Sequence, residues 1–190
     1  MTVSIRQIDA MDREAFIAQL GGIYEHSPWV AERAWKARPF RSRDVLHAAM
    51  EEVVAAASHE EQLGLIRAHP ELAGRLALAG RLTGASRSEQ AGAGLDRCTP
   101  EEFARLQELN AAYRKKFDFP FIVAVRGLTR THIIAQLEQR LAHSDEQEFN
   151  ACLREIGRIA GFRLHDLVAD ASQNATLTAE GAEGAEENGG

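Results

Sequence analysis

Thr99-Pro100-Glu101-Glu102-Phe103-Ala104-Arg105-Leu106-Gln107-Glu108-Leu109-Asn110-Ala111-Ala112-Tyr113-Arg114-Lys115-Lys116 spells out a helix together with its start signal. Thr99 is an N-cap, Pro100 suits the first helical position, and Glu102 completes a capping box. Phe103, Leu106, Leu109, Asn110 and Tyr113 then recur on or near one face. The same punctuation appears on either side. Ser58-His59-Glu60-Glu61 opens a helix that stops near His69-Pro70, and Ser144-Asp145-Glu146-Gln147 opens a long one through Phe149, Cys152, Ile156 and Ile159. Thr129 caps a helix bearing Ile133, Ile134, Leu137 and Leu141, and further helices fit 12–20, 28–38 and 42–57. The expected fold is all-α: one helical bundle of about seven to nine helices over residues 1–170.

One segment breaks the pattern. Phe119-Pro120-Phe121-Ile122-Val123-Ala124-Val125 is apolar, β-prone and interrupted by proline, and no second strand stands out to pair with it. Its backbone N–H and C=O groups need partners. Water and neighbouring side chains can supply them, or a polar ligand can, with the amides as its cradle; the sequence leaves both open. Residues 171–190 hold four glutamates and no basic residue, and Leu177 is their one large apolar side chain. A disordered, dispensable acidic tail is expected there.

Composition excludes several function classes. The chain has 190 residues, 45% of them hydrophobic, and a net charge of -6, of which residues 1–170 carry only -2. There is no basic excess to neutralise phosphates, so nucleic acid is not an expected partner. No apolar run approaches the ~20 residues of a membrane span, and Met1–Ala10 has no apolar signal region. A cytoplasmic location is expected. Cys98 and Cys152 show no metal or redox spacing, and Cys152 reads as a small core residue. The seven histidines show no ligand spacing, so no metal site is expected. The glycines of 80–94 form no phosphate loop.

Chemistry concentrates on irregular backbone between helices. His69 precedes Pro70, which pushes it toward extended backbone at a fixed corner, and imidazole exchanges protons near neutrality. The alternative is a turn histidine without a role. Glu89 follows the glycine-containing Leu82-Thr83-Gly84-Ala85 stretch; beside His69 it would form an acid–base pair. Equally, Ser86-x-x-Glu89 reads as a capping box, with Glu89 in a first helical turn. Arg163, between Phe162 and Leu164, fits either a solvated face or a carboxylate clamp.

His69-Pro70-Glu71-Leu72-Ala73-Gly74, Ser86-x-x-Glu89-Gln90-x-x-x-Gly94-Leu95, Asn110-x-x-Tyr113-x-x-Lys116-Phe117 and Phe119-Pro120-Phe121-Ile122, with Gly161-Phe162-Arg163-Leu164, stand in one order. In that order and spacing, over about residues 8–170, the chain resembles the 2-oxo-4-hydroxy-4-carboxy-5-ureidoimidazoline (OHCU) decarboxylases of urate breakdown. The resemblance implies an all-helical, cofactor-free enzyme that yields (S)-allantoin and is commonly a homodimer. It implies His69 as proton donor with Glu89 as catalytic partner. Pro70, Ser86, Arg87, Ser88, Glu89, Gln90, Phe121, Ile122, Val123, Ala124, Val125 and Arg163 would line the substrate. Asp118 stands where a glycine is common. The steps that precede it, urate oxidation and 5-hydroxyisourate hydrolysis, are expected from separate polypeptides. Two alternatives stay open: a decarboxylase of a related ureido or imidazoline acid, and a non-catalytic helical module that binds a purine metabolite.

Overall fold

Short polar side chains start every described α-helix but the one at Trp29–Ala34, because their oxygens accept the backbone N–H groups that a first turn leaves unpaired. The structure, a computed structural model, describes residues 2–72 and 82–169. Ala73 and Gly74 of the first motif and the acidic segment 171–190 lie outside the described residues.

Along the chain, β1 (Val3–Ser4) leads into α1 (Ile5–Ala10) and α2 (Arg13–Leu20). Then come α3 (Trp29–Ala34), which tightens into a 3-10 turn at Trp35–Ala37, α4 (Arg43–Ala55) and α5 (His59–Ala68). After them come α6 (Gly84–Gly92), α7 (Pro100–Phe117), α8 (Arg130–Arg140) and α9 (Asp145–Leu167), which ends in β2 (Val168–Ala169). The nine helices described make the domain all-α. Asp12, Ser42, Ser58, Thr99, Thr129 and Ser144 each cap the expected helix, and Ser58, Thr99 and Ser144 form complete capping boxes. Helix α1 carries a capping box of its own, Ser4 with Gln7, that the sequence reading passed over.

Two local differences stand out. The expected helix over 28–38 ends its α-helical part at Ala34. The ends of the described chain also pair as two short parallel strands, Val3 opposite Val168 and Ser4 opposite Ala169. That pairing fixes the C-terminal end of α9 against the N-terminal helix.

The core runs through the centre of the bundle: Phe16, Leu46, Leu65, Leu106, Ile133, Cys152 and Leu164 are all buried. Helix α9 packs against α4 and α5, and α7 against α8. Segment 119–125 is anchored by aromatics. The Tyr113 ring lies 4.7 Å from Phe117 and meets Phe121 edge-on at 5.4 Å, and Phe117 stacks on Phe119 at 5.9 Å. Asp118 takes the left-handed conformation that caps α7, with φ 60°, so the turn where a glycine is common is kept. Among the described residues no helix is long and apolar enough to cross a membrane.

Candidate active site

Helix α5 stops because Pro70 forbids its continuation, and His69 turns extended at φ -75°, ψ 139°. Its ring folds back so that Nδ1 lies 2.9 Å from the Leu65 carbonyl. A carbonyl can only accept, so Nδ1 carries the proton and Nε2 presents a lone pair. The imidazole is buried, and burial lowers its pKa to about 4 against the opposing influence of the Leu65 bond and the Glu25 charge. At neutral pH, His69 is a neutral base.

Helix α6 supplies the facing wall. Thr83, not Ser86, caps it: the Thr83 Oγ1 accepts from the Ser86 N–H at 3.2 Å. Ser86 therefore sits at the third helical position and Glu89 a turn further in, which removes the capping-box reading of that pair. The helical period then sorts the 86–90 run. Ser86, Glu89 and Gln90 line a pocket with His69, whereas Arg87 and Ser88 are exposed and lie outside that lining. The pocket has an empty volume of about 510 Å³, its open mouth included.

The third wall is segment 121–125, all of it buried and all of it lining the pocket. Side chains meet part of its backbone. Arg140 Nη1 donates to the Ile122 carbonyl at 2.7 Å, and the Ala124 N–H donates to Glu155 Oε2 at 2.7 Å. Arg140 is itself held by the fully buried Glu148, which also accepts from Tyr113 and meets His143 Nδ1 at 2.7 Å. The N–H groups of Phe121, Val123 and Val125 have no partner among the described residues. Side chains thus brace part of the segment, as one sequence alternative expects, and the remaining amides leave the other alternative open.

Arg163 comes from α9, with Ile159 and Phe162 beside it in the wall. It is neither on a solvated face nor a free clamp. Its Nε donates to Glu89 Oε1 at 2.7 Å and Nη2 to Glu89 Oε2 at 2.9 Å and to Ser86 Oγ at 3.3 Å. Nη1 reaches Glu25 Oε2 at 2.9 Å and the Ile23 carbonyl at 3.2 Å. A guanidinium has five N–H donors, and these bonds engage all of them. Arg163 therefore fixes carboxylates of the protein.

Glu25 is the residue that the sequence reading missed. It is 2% exposed and accepts from Thr83 Oγ1 at 2.7 Å and from Ser86 Oγ at 3.0 Å. Burial pushes its carboxyl up, but these bonds and the Arg163 charge outweigh that and hold it below the usual range. Glu89 is locked to Arg163, whereas Glu25 is the carboxylate whose charge acts on His69. The signal that singled out His69, a titratable side chain on irregular backbone between helices, also applies to Glu25-His26-Ser27-Pro28. Among the described residues no group of three His, Cys, Asp or Glu side chains is placed to hold a metal ion.

Residues 9–165 match the family model of the OHCU decarboxylases. The chain belongs to the OHCU decarboxylase family. A Haloferax volcanii 2-oxo-4-hydroxy-4-carboxy-5-ureidoimidazoline decarboxylase is 44% identical over 162 residues, 85% of this chain and 94% of that one. A uric acid degradation bifunctional protein of Bacillus sp. (strain TB-90) is 40% identical over 90% of this chain, which matches 33% of its length. A crystal structure of an (S)-allantoin synthase superposes with a TM-score of 0.71 at 33% identity, covering 86% of this chain and 54% of that one. The family match spans α2 to α9 and so contains every wall of the pocket.

Proposed function

We propose that this member of the family decarboxylates OHCU to (S)-allantoin in urate degradation, with His69 moving the proton that sets the product's hand. The observation that carries the reading is the neutral His69 imidazole, its Nε2 lone pair free, in a pocket walled by fixed carboxylates and open amides.

In OHCU the leaving carboxylate sits on a carbon that bears a hydroxyl and adjoins a C=N bond. When the C–C bond to CO2 breaks, its electron pair flows toward that nitrogen, which takes up one proton from water. The product of this step is an enol. The hydroxyl must then lose its proton, and the adjacent carbon must gain one on a single face. A neutral His69 accepts the hydroxyl proton at Nε2, and the resulting imidazolium delivers it to carbon. His69 is thereby the proton donor the resemblance implies, loaded by the substrate's own hydroxyl. General acid–base participation of this kind is worth ~10²–10⁴ in rate.

Each remaining residue has a role that its geometry supports. Glu89, held bidentate by Arg163, offers its remaining lone pairs to the ureido N–H groups. The open amides of 121–125 are fixed donors for developing negative charge, with no reorganisation needed during reaction. Pro70, Ser86 and Gln90 shape the pocket. Arg163 acts through Glu25 and Glu89. The electron sink is the substrate's own C=N bond, so the reading assigns no cofactor. It also adopts the family's homodimer, a cytoplasmic location and coupling to separate urate oxidase and 5-hydroxyisourate hydrolase; the bifunctional relative supports a link to the urate pathway.

The test generates OHCU with urate oxidase and 5-hydroxyisourate hydrolase and follows circular dichroism. Fast growth of a persistent allantoin signal of one hand is expected. A rate no faster than spontaneous racemic decay, from folded protein, refutes the activity. Near-wild-type turnover by His69→Asn refutes the role of His69.

A further inference from the structure

Taking the decarboxylase reading as its basis, we infer that Arg126 is the anchor for the substrate's carboxylate, and that its ion pair with Asp166 is the resting state of that anchor.

The charge of the pocket demands such a group. His69 is neutral, and the single Arg163 guanidinium faces two carboxylates, Glu25 and Glu89, with every donor engaged. Among the described residues, a carboxylate that entered this interior would meet net negative charge and no free cation, and burying an unpaired anion is strongly unfavourable. Among the described residues, Arg126 is the one remaining Arg or Lys in the pocket lining.

Its position fits the task. Arg126 follows the last residue of the 121–125 wall, so its backbone is fixed relative to the open amides. It also lines a second, outer chamber with Ala85, Ser88, Asp166 and Leu167, and the two spaces share Glu89, Arg126 and Arg163. Arg126 therefore stands at the boundary between the outer chamber and the reaction pocket. Its guanidinium lies 4.7 Å over the Phe162 ring, which itself faces the pocket.

The pair it makes is exchangeable. Arg126 Nη1 donates to Asp166 Oδ1 at 3.1 Å and Nη2 donates to Oδ2, while the side chains are 42% and 58% exposed. Exposed pairs of this kind contribute little to stability, so the partner is readily replaced. Asp166 presents a carboxylate fork, and the substrate carboxylate has the same shape and charge, so it can replace Asp166 without a new mode of recognition. Asp166 thus holds the cation at the mouth until an anion arrives.

The test is calorimetric binding of two stable probes, hydantoin-5-acetate, which carries a carboxylate, and allantoin, which does not. Arg126→Gln is expected to weaken hydantoin-5-acetate about 10–100-fold and to leave allantoin within about twofold, with Arg126→Lys between wild type and Arg126→Gln. Asp166→Asn is expected to tighten the anionic probe. The same variants should raise (Arg126→Gln) or lower (Asp166→Asn) KM for OHCU with little change in kcat. Equal weakening of both probes, or no weakening of the anion, overturns the anchor. Wild-type protein that prefers the anion through Arg126 yet fails to decarboxylate OHCU would instead refute the functional reading and leave the anchor standing.

Discussion

Lowering the pH tests the state of His69 directly. An ordinary imidazole, with a pKa of ~6.5, would be about nine-tenths protonated at about pH 5.5, so a reaction that needs its neutral form would slow about tenfold between about pH 7.5 and 5.5. With the pKa of His69 lowered to about 4 by burial, only a few per cent is protonated at about pH 5.5, and kcat/KM should be nearly flat over that range. The acid limb belongs near pH 4. Because kcat/KM reports the free enzyme, the limb reads the resting His69. OHCU made at neutral pH is mixed into buffers of decreasing pH and the dichroic signal is followed, with the spontaneous rate subtracted. Glu25→Gln deletes a charge that favours the imidazolium, so it should move the limb lower still. The linked effect on stability has a definite sign. The unfolded chain binds this proton first, so stability from neutral His69 is complete above ~6.5 and is lost as pH falls toward about 4. An acid limb between pH 6 and 7 would refute the burial-lowered pKa of His69, and a rate that rose as the pH fell would refute the base-first mechanism.

Arg140→Met leaves the fully buried Glu148 carboxylate without its cation, and urea titration should show a loss of about 3–5 kcal/mol. Asp118→Gly relieves a non-glycine left-handed residue and gives up only an exposed Arg67 pair, so it should stabilise by about 0.5–1 kcal/mol; a clear loss would show that Asp118 does more than cap α7. Thr83→Val removes the α6 cap and a donor to Glu25 together, for a loss of about 1–2 kcal/mol and faster amide exchange in the first turn of α6.

The helices were legible because capping is local. A Ser or Thr side chain satisfies an N–H three residues on, and that spacing is written in the sequence. Where two caps compete, the sequence cannot choose: Ser86-x-x-Glu89 is a well-formed box, yet Thr83 lies three residues earlier and wins. The difference moves Glu89 from a first turn to the helix interior. His69 was legible for a similar reason, since Pro70 fixes its corner. Glu25 and Arg126 were not. Each is a charged residue outside the helices, ordinarily solvated, and what fixes its place is a partner far along the chain: Arg163 for Glu25, Asp166 for Arg126. Glu89 and Arg163 are 74 positions apart, and no periodicity connects them. The strands β1 and β2, two residues each, are too short for any alternation to show.

That long-range pairing also explains why two carboxylates can flank a single arginine in an apolar interior. A buried carboxylate is tolerated only when donors replace its lost water. Glu25 has Thr83, Ser86 and Arg163; Glu89 has two bonds from the same guanidinium. Arg163 thus ties the loop before α3, the helix α6 and the helix α9 to one point, and Ser86 both donates to Glu25 and accepts from Arg163. Among the described residues, Glu25 and Glu89 against the single Arg163 leave the cluster net negative. A positively charged His69 would be favoured there by charge alone, and Glu25 does favour it; burial and the neighbouring Arg163 act the other way and prevail. The fold therefore keeps His69 neutral at rest, as the proposed transfer from a substrate hydroxyl requires. It keeps Arg126, the proposed anchor for the substrate's carboxylate, on Asp166, outside the web that Arg163 has already closed.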